Sequence, residues 1–316
     1  MIGTLRDIDL KLIRAFITVV ESGGFVPAQA VLNVGPSRLS TMITELEERL
    51  GMRLCQRGRV GFALTESGRE VYRAAQRLIA DLEAFRSTVG SLRGKLTGNL
   101  RIGMVDNIIS NPGQHVAEVI DRFCGRAQDV SITIHIDGPQ ELEAKVLDGR
   151  LDLAIGAFHH ALPSLNYHPL FLEEQTLYCG RGHALFDRSP KSLDRADILG
   201  ASYAGRGYME DRRPLNLTAV ANSFSMEGLA MLILSGRFIA YLPSHYAAQW
   251  AEAGAMRSLM RDAFSYQSLF EVVVRQGRGR TPTLQAFLED LHAGHAKRLL
   301  QASKAEPARR AKSKLS

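Results

Sequence analysis

The chain has little that could cross-link it or carry it across a membrane. Of 316 residues only 3 are cysteine, and Cys55, Cys124 and Cys179 are widely spaced. An odd, scattered set forms no disulfide framework and no zinc spacing, so three buried small apolar side chains in a reducing compartment are expected. No apolar run approaches the ~20 residues that a bilayer span needs. The start, Met-Ile-Gly-Thr-Leu-Arg-Asp, lacks the apolar core of a secretion signal. A cytoplasmic chain with no membrane partner is the expectation.

Motifs of catalysis are missing as well. There is no Gly-x-Ser-x-Gly elbow and no His-Glu-x-x-His. The Gly-Arg-Gly runs at 205–207 and 277–279 open no helix with Gly-Lys-Ser/Thr, so they are not phosphate loops. His159-His160 has no third ligand nearby in sequence, and His292 with His295 has no carboxylate or cysteine to complete a set. No catalytic residue, metal or cofactor is expected.

What is present is a soluble-protein composition, 45% hydrophobic and 23% charged, at a length that allows two or three domains. The net charge of +6 is uneven. Residues 1–94 carry 13 Lys and Arg against 10 Asp and Glu, residues 302–316 carry 5 against 1, and the middle carries 21 against 22. A phosphate-binding front and a neutral small-molecule domain would divide charge this way. The basic tail at 302–316 has little to bury, and disorder is expected there.

Residues 25–64 read as a helix, a tight turn, a second helix and a basic loop between two short strands, the order of a winged helix-turn-helix. Leu10, Ile13, Phe16, Val19 and Val20 give a preceding helix that ends near Ser22-Gly23-Gly24. On the helix that opens at Ser37, the apolar stripe Leu39, Met42, Ile43, Leu46 and Leu50 leaves Arg38, Thr41 and Thr44 on the other side, with Ser37 and Ser40 beside them. With Pro36 at the turn and Arg57 and Arg59 in the wing, these are the expected DNA-binding residues, suited to base edges and phosphates.

Thr65 is placed to cap a long helix to about Leu92. Along it Val71, Ala75, Leu78, Leu82, Phe85, Val89 and Leu92 alternate steps of four and three, a period that predicts a seam between two paired helices. After a hinge at 93–98, strands alternate with helices. Strands are expected at Leu100–Val105, Val130–Ile136 and Leu151–Ile155, with helices from Asn111-Pro112 and over Glu141–Leu147 between them. This βαβαβ order implies a parallel sheet. Strand-like stretches follow at 165–180, 198–203 and 217–221, then a helix at Ser225–Ser235 and a strand at Phe238–Pro243. A last strand, Leu269–Val274, precedes a helix from Thr281 to about Leu300. The chain leaves a first lobe near 162 and returns near 270, which makes a cleft able to close on a ligand.

The pairs Leu39-Ser40, Leu46-Glu47, Leu50-Gly51 and Arg53-Leu54, with Arg57 and the run Leu64-Thr65-Glu66-Ser67-Gly68, resemble the LysR-type transcriptional regulators over about Ile8 to Leu300. The resemblance implies an α/β chain with an N-terminal winged helix-turn-helix (8–65), a long linker helix that dimerises (66–94), and a two-lobed periplasmic-binding-protein-like effector domain. That domain would span 98–301, with lobe I at 98–162 and 270–301 and lobe II at 163–269. It also implies a homodimer or homotetramer on double-stranded promoter DNA, with RNA polymerase as a further partner and a small-molecule effector in the cleft. The chain departs from the family at Ala28-Gln29, at Gly35-Pro36-Ser37, and at Thr41-Met42 after Ser40. The missing glutamine removes a bidentate contact to adenine.

Two loops, Asp106–Asn111 and Asn222–Ser225, precede helices whose free amides favour an anion. Asn107, Ser110, Ser223 and Ser225 are therefore the expected effector contacts, with Phe158 and Tyr203 as walls and a small carboxylate as the ligand. Asp106 nearby argues against a strongly anionic one. A second reading stays open here, a small-molecule-binding or catalytic α/β protein whose N-terminal helices only dimerise.

Overall fold

A computed structural model of the chain describes residues 7–58, 61–208, 215, 217–277 and 281–294. The chain forms two compact units, one of residues up to Phe85 together with Asp148–Arg150, the other of the rest from Arg86 onward. The boundary falls inside the long helix rather than at its ends. The basic tail lies outside the described residues, among which no helix is long and apolar enough to cross a membrane.

The first unit holds α1 (Asp7–Glu21), α2 (Phe25–Leu32), α3 (Pro36–Leu50), the antiparallel pair β1 (Cys55–Gly58) and β2 (Gly61–Leu64), and the start of α4 (Glu66–Ser91). Pro36 occupies the first turn of α3, where no amide donor is needed, and Gly51 ends the helix at φ 68°. Leu39, Ile43 and Leu46 bury the predicted stripe against Leu12, Phe16 and Val19 of α1 and Ala28 of α2. The Glu47 carboxylate accepts from the amides of Leu54 (2.7 Å) and Cys55 (3.0 Å), which fixes where the wing begins. Thr65 caps α4 as expected, its hydroxyl accepting from Gly68 N at 2.8 Å.

The seam along α4 is only partly free. Ala75 is buried, and Val71 and Leu78 pack with it into the core of the first unit. Phe85, Val89 and Leu92 are 68%, 36% and 83% exposed. An apolar stripe buries against whichever apolar surface lies beside it, so its period alone does not assign the whole stripe to a partner helix.

The second unit contains β3 (Thr97–Met104), α5 (Val116–Arg126), β4 (Asp129–Ile136), α6 (Pro139–Leu147), β5 (Leu153–Gly156) and β6 (Leu165–Gly180). There follow α7 (Arg195–Leu199), β7 (Tyr203–Arg206), β8 (Ala219–Ser223), α8 (Met226–Leu234), β9 (Ile239–Pro243), α9 (Ser244–Glu252), β10 (Met256–Ser258), α10 (Arg261–Phe264) and β11 (Tyr266–Arg275). Residues 282–294 form a last helix, α11, within the described range. The sheet order is β4-β3-β5-β11-β6-β9-β7-β8, with β10 also on β6. β3 pairs in parallel with β4 and β5, the expected βαβαβ lobe. The long antiparallel strands β6 and β11 run from that lobe into the second, so they are the two crossings.

Both faces of the sheet are covered, which is why β5 and β9 are buried at every position. In lobe I, Phe123 of α5 meets Phe287 of α11 edge to face at 5.4 Å. In lobe II, Leu177, Ile239 and Tyr241 face one core, and Ala240 and Leu242 face another with Leu229 and Ile233.

Two expected boundaries move. The helix read from Asn111-Pro112 begins at Val116, because the Asn111 side chain accepts from Gly113 N at 2.7 Å and closes a turn instead of capping a helix. The stretch 198–203 is no strand. Asp194 and Asp197 form a capping box that makes 195–199 helical, and strand begins only at Tyr203. The elements α9, β10 and α10 were not read from sequence.

Candidate functional site

The outward side of α3 is free in the first unit. Pro36, Ser37, Arg38, Thr41 and Thr44 are exposed and Ser40 is half-buried. Thr41 Oγ1 donates to the Ser37 carbonyl at 2.9 Å, so its proton is turned onto the helix. An ion pair from Arg49 to Asp9 at 3.1 Å ties α3 to α1. Phe25 and Phe62 meet edge to face at 5.9 Å and hold the wing to α2. Arg57 lies on β1, and Arg59 falls outside the described residues. A rigid helix thus offers short polar groups at a convex edge, a shape that enters a major groove.

The second candidate is the cleft where β3 and β5 end and β6 and β11 cross. A cavity of about 450 Å³ is walled by Phe158, His159, His160, Tyr167, Tyr266, Ser268 and Glu271. Phe158 meets Tyr167 edge to face at 5.8 Å, and the Tyr167 hydroxyl donates to Glu143 at 2.5 Å. Burial holds the Glu143 carboxyl above the usual carboxylate range.

Beside the cavity lies a polar network. Glu173 is buried and accepts from Asn111 Nδ2 (3.3 Å), Gln175 Nε2 (2.5 Å) and His245 Nε2 (2.8 Å). The other ring nitrogen of His245, Nδ1, lies 2.8 Å from the Ser110 hydroxyl, so the imidazole bridges Glu173 and Ser110. Arg206 donates to Gln175 Oε1 at 2.5 Å. The residue as a whole is half-buried, but its guanidinium Nε is buried and the charge feels Tyr266, Tyr208 and Glu173. Asp106, at the end of β3, accepts from Met226 N at the start of α8 (2.6 Å).

The expected effector residues are spread around this cleft. Ser110 belongs to the network and Phe158 walls the cavity. Asn107 instead lines a separate apolar pocket of about 300 Å³ with Ile108, Ile109, Val116, Ile134 and Ile136. Tyr203 is packed in the lobe II core, 6.5 Å from Tyr241, because its strand is central there and turns it inward. Ser225 caps α8 through Gly228 N at 3.1 Å, and Ser223 closes the same turn. The α8 terminus expected to receive an anion already holds Asp106.

The residues missed from sequence are Glu173, Gln175, Arg206 and His245. One signal was available: Glu173, Glu174 and Gln175 stand between the apolar runs Leu170–Leu172 and Leu177–Cys179 of one strand. Among the described residues no group of three His, Cys, Asp or Glu could hold a metal ion. His292 instead meets His168 edge to face at 6.0 Å.

Residues 10–69 match the bacterial regulatory helix-turn-helix model of the lysR family, and residues 93–296 match the LysR substrate binding domain. The chain is 42% identical over 292 residues to the HTH-type transcriptional activator BauR of Pseudomonas aeruginosa, covering 91% of this chain and 96% of that one. It is 30% identical to the SDS degradation transcriptional activation protein of a Pseudomonas species, over 88% and 94% of the two chains. A full-length OxyR variant from Pseudomonas aeruginosa shares the fold at TM-score 0.62 and 19% identity, over 92% and 95% of the chains. These matches decide between the two readings left open by the sequence: the chain belongs to the LysR family of DNA-binding transcriptional regulators and is not an enzyme.

Proposed function

We propose that this regulator reads promoter DNA with Pro36, Ser37, Arg38, Ser40, Thr41 and Thr44 on α3 while Arg57 and Arg59 of the wing hold phosphates. The observation that carries the reading is the exposed polar side of α3, backed by its fully buried Leu39, Ile43 and Leu46. Phe85 and Val89 of α4, with Leu92 just past its end, are left to pair with a second copy, so that two heads meet successive grooves. By analogy with the activators it resembles, the bound oligomer acts on RNA polymerase in the cytoplasm. A gel-shift titration of the full chain over salt tests this. Affinity should fall steeply with salt on all DNA, and sequencing of DNA pulled down from cells should return a shared site; salt-independent binding would end the proposal.

The effector in this reading is a small molecule sized for the cavity of about 450 Å³. Arg206 is the cation that a carboxylate would meet, and Phe158, Tyr167 and Tyr266 supply its apolar walls. A thermal-shift screen of small acids against their own amides tests the class. A binder at a hundredfold over its Kd stabilises by about 2.7 kcal/mol. Shifts for acids but not amides support the carboxylate, and equal shifts for both would overturn it.

A further inference from the structure

The cleft is closed by the protein's own groups. Asp106 stands at the end of β3 in lobe I, and its Oδ2 accepts from Met226 N at the first turn of α8 in lobe II, at 2.6 Å. Other bonds among the described residues also cross between the lobes, among them Ser110 to His245 at 2.8 Å, Asn111 to Glu173 at 3.3 Å, and Gln140 Nε2 to the Tyr208 carbonyl at 2.8 Å. The Asp106 bond differs from these in placing a carboxylate on a helix N-terminus, where free amides and the helix dipole both favour negative charge. Ser225 already caps that helix by accepting from Gly228 N, so Asp106 is not needed to end it. Its partner lies 120 residues away in the other lobe.

We propose that Asp106 is an internal latch: a resident carboxylate that holds the two lobes of the effector domain together before any ligand arrives. The inference rests on the cleft being the effector site. It adds that an effector entering there meets a closed cleft and has to break the Asp106 bond, rather than drawing open lobes together. The latch is poised rather than locked. Burial disfavours the Asp106 carboxylate, while Met226 N and the nearby Arg206 charge favour it. The groups facing it from the surrounding elements are Arg206 of β7, Tyr208 just beyond it, Glu173 of β6 and Tyr246 of α9.

The test is a distance measurement between the lobes in the full chain without ligand. In a Cys124→Ser background, spin labels are placed at Gln285→Cys on α11 in lobe I and Arg195→Cys on α7 in lobe II, diluted with unlabelled protein. Both positions are exposed, and Cys55 and Cys179 are buried. The unaltered latch should give one narrow distance. Asp106→Ala should add a longer, broader population, and Asp106→Asn, which keeps an acceptor for Met226 N but loses the charge, should add a smaller one. Met226→Pro supplies an independent arm, because proline is tolerated at the first helical position and removes the donor; it also takes a buried side chain out of the lobe II core, so calorimetry of this variant accompanies the distance measurement. The proline variant should reproduce the longer population. An unchanged distribution in either Asp106→Ala or Met226→Pro overturns the latch, as does an Asn variant as closed as the parent, since the carboxylate charge would then contribute nothing. The acid and amide screen reads ligand binding separately, so a failed latch and a failed effector site give different results.

Discussion

Gly68 offers a test in which two physical effects have opposite signs. It is the third residue of α4, and a Cβ there would lie 2.0 Å from the Leu54 carbonyl oxygen and 3.1 Å from Thr65 Oγ1. That carbonyl already accepts from Thr65 N at 3.0 Å, so the start of α4 is stitched to the strand entering the wing. In Gly68→Ala the helix must back away from Leu54. Overpacking of this kind costs typically ~1–3 kcal/mol, and weakening the Thr65 bond adds about 1 kcal/mol. Helix propensity alone would favour alanine by about 1 kcal/mol. The net expectation is a loss of roughly 1–3 kcal/mol, equivalent to about 4–8 °C per kcal/mol for a domain of 60–100 residues. Calorimetry of the full chain reads it as a fall in the transition assigned to the N-terminal unit, with weaker DNA binding. Gly125→Ala is the control, since Gly125 is exposed on α5 with nothing within 4 Å of an added Cβ. It should stabilise by up to about 1 kcal/mol. A Gly68→Ala chain at least as stable as the parent would refute the close-approach reasoning.

Other outcomes follow from the same contacts. Glu173→Ala removes the acceptor for Asn111, Gln175 and His245, and stranded buried donors cost about 1–3 kcal/mol each, so urea unfolding should report a loss of at least about 2 kcal/mol. A change under about 0.5 kcal/mol would contradict the network. Glutamates at both Phe85 and Val89 should lower the native mass by light scattering, since both side chains are exposed on α4; an unchanged mass removes α4 from the oligomer. Burial pushes the Cys179 thiol up to about 11, so at pH 8 iodoacetamide should modify exposed Cys124 and spare Cys55 and Cys179 until the chain unfolds. The same raised value means that its neutral form is favoured by folding. That contribution is full below the ordinary thiol value of 9.0 and is lost as pH climbs toward about 11.

The DNA-reading unit was legible in the sequence because its determinants are local. Leu39, Ile43 and Leu46 lie one helical turn apart, and Thr65 sits three residues before the amide it caps, so spacing alone reveals both. The parallel lobe was legible for the same reason, from alternating and continuous apolar strands. Less visible was anything whose reason lies elsewhere in the chain. Asn111 looks like a helix cap, but it is held in a turn and reaches Glu173, 62 residues on. Val71, Ala75 and Leu78 share the period of the pairing seam and are buried on their own unit. The cleft was the hardest part. Ser110 and His245 are separated by 135 residues, and Arg206 stands in a Gly-Arg-Gly run that reads locally as a failed phosphate loop. The pairing of β6 with β9, Gln175 opposite Pro243, is what brings Glu173 to His245.

The most direct measurement is fluorescence anisotropy of the full chain at fixed salt, on its pulled-down site and on a scrambled duplex. Ser37→Ala and Thr41→Ala should weaken the site by roughly 10- to 100-fold, the ~1–3 kcal/mol of a lost base contact, and leave the scrambled duplex nearly unchanged. Arg57→Ala should weaken both alike. Equal losses on both duplexes for the two α3 variants would show that this helix does not read bases.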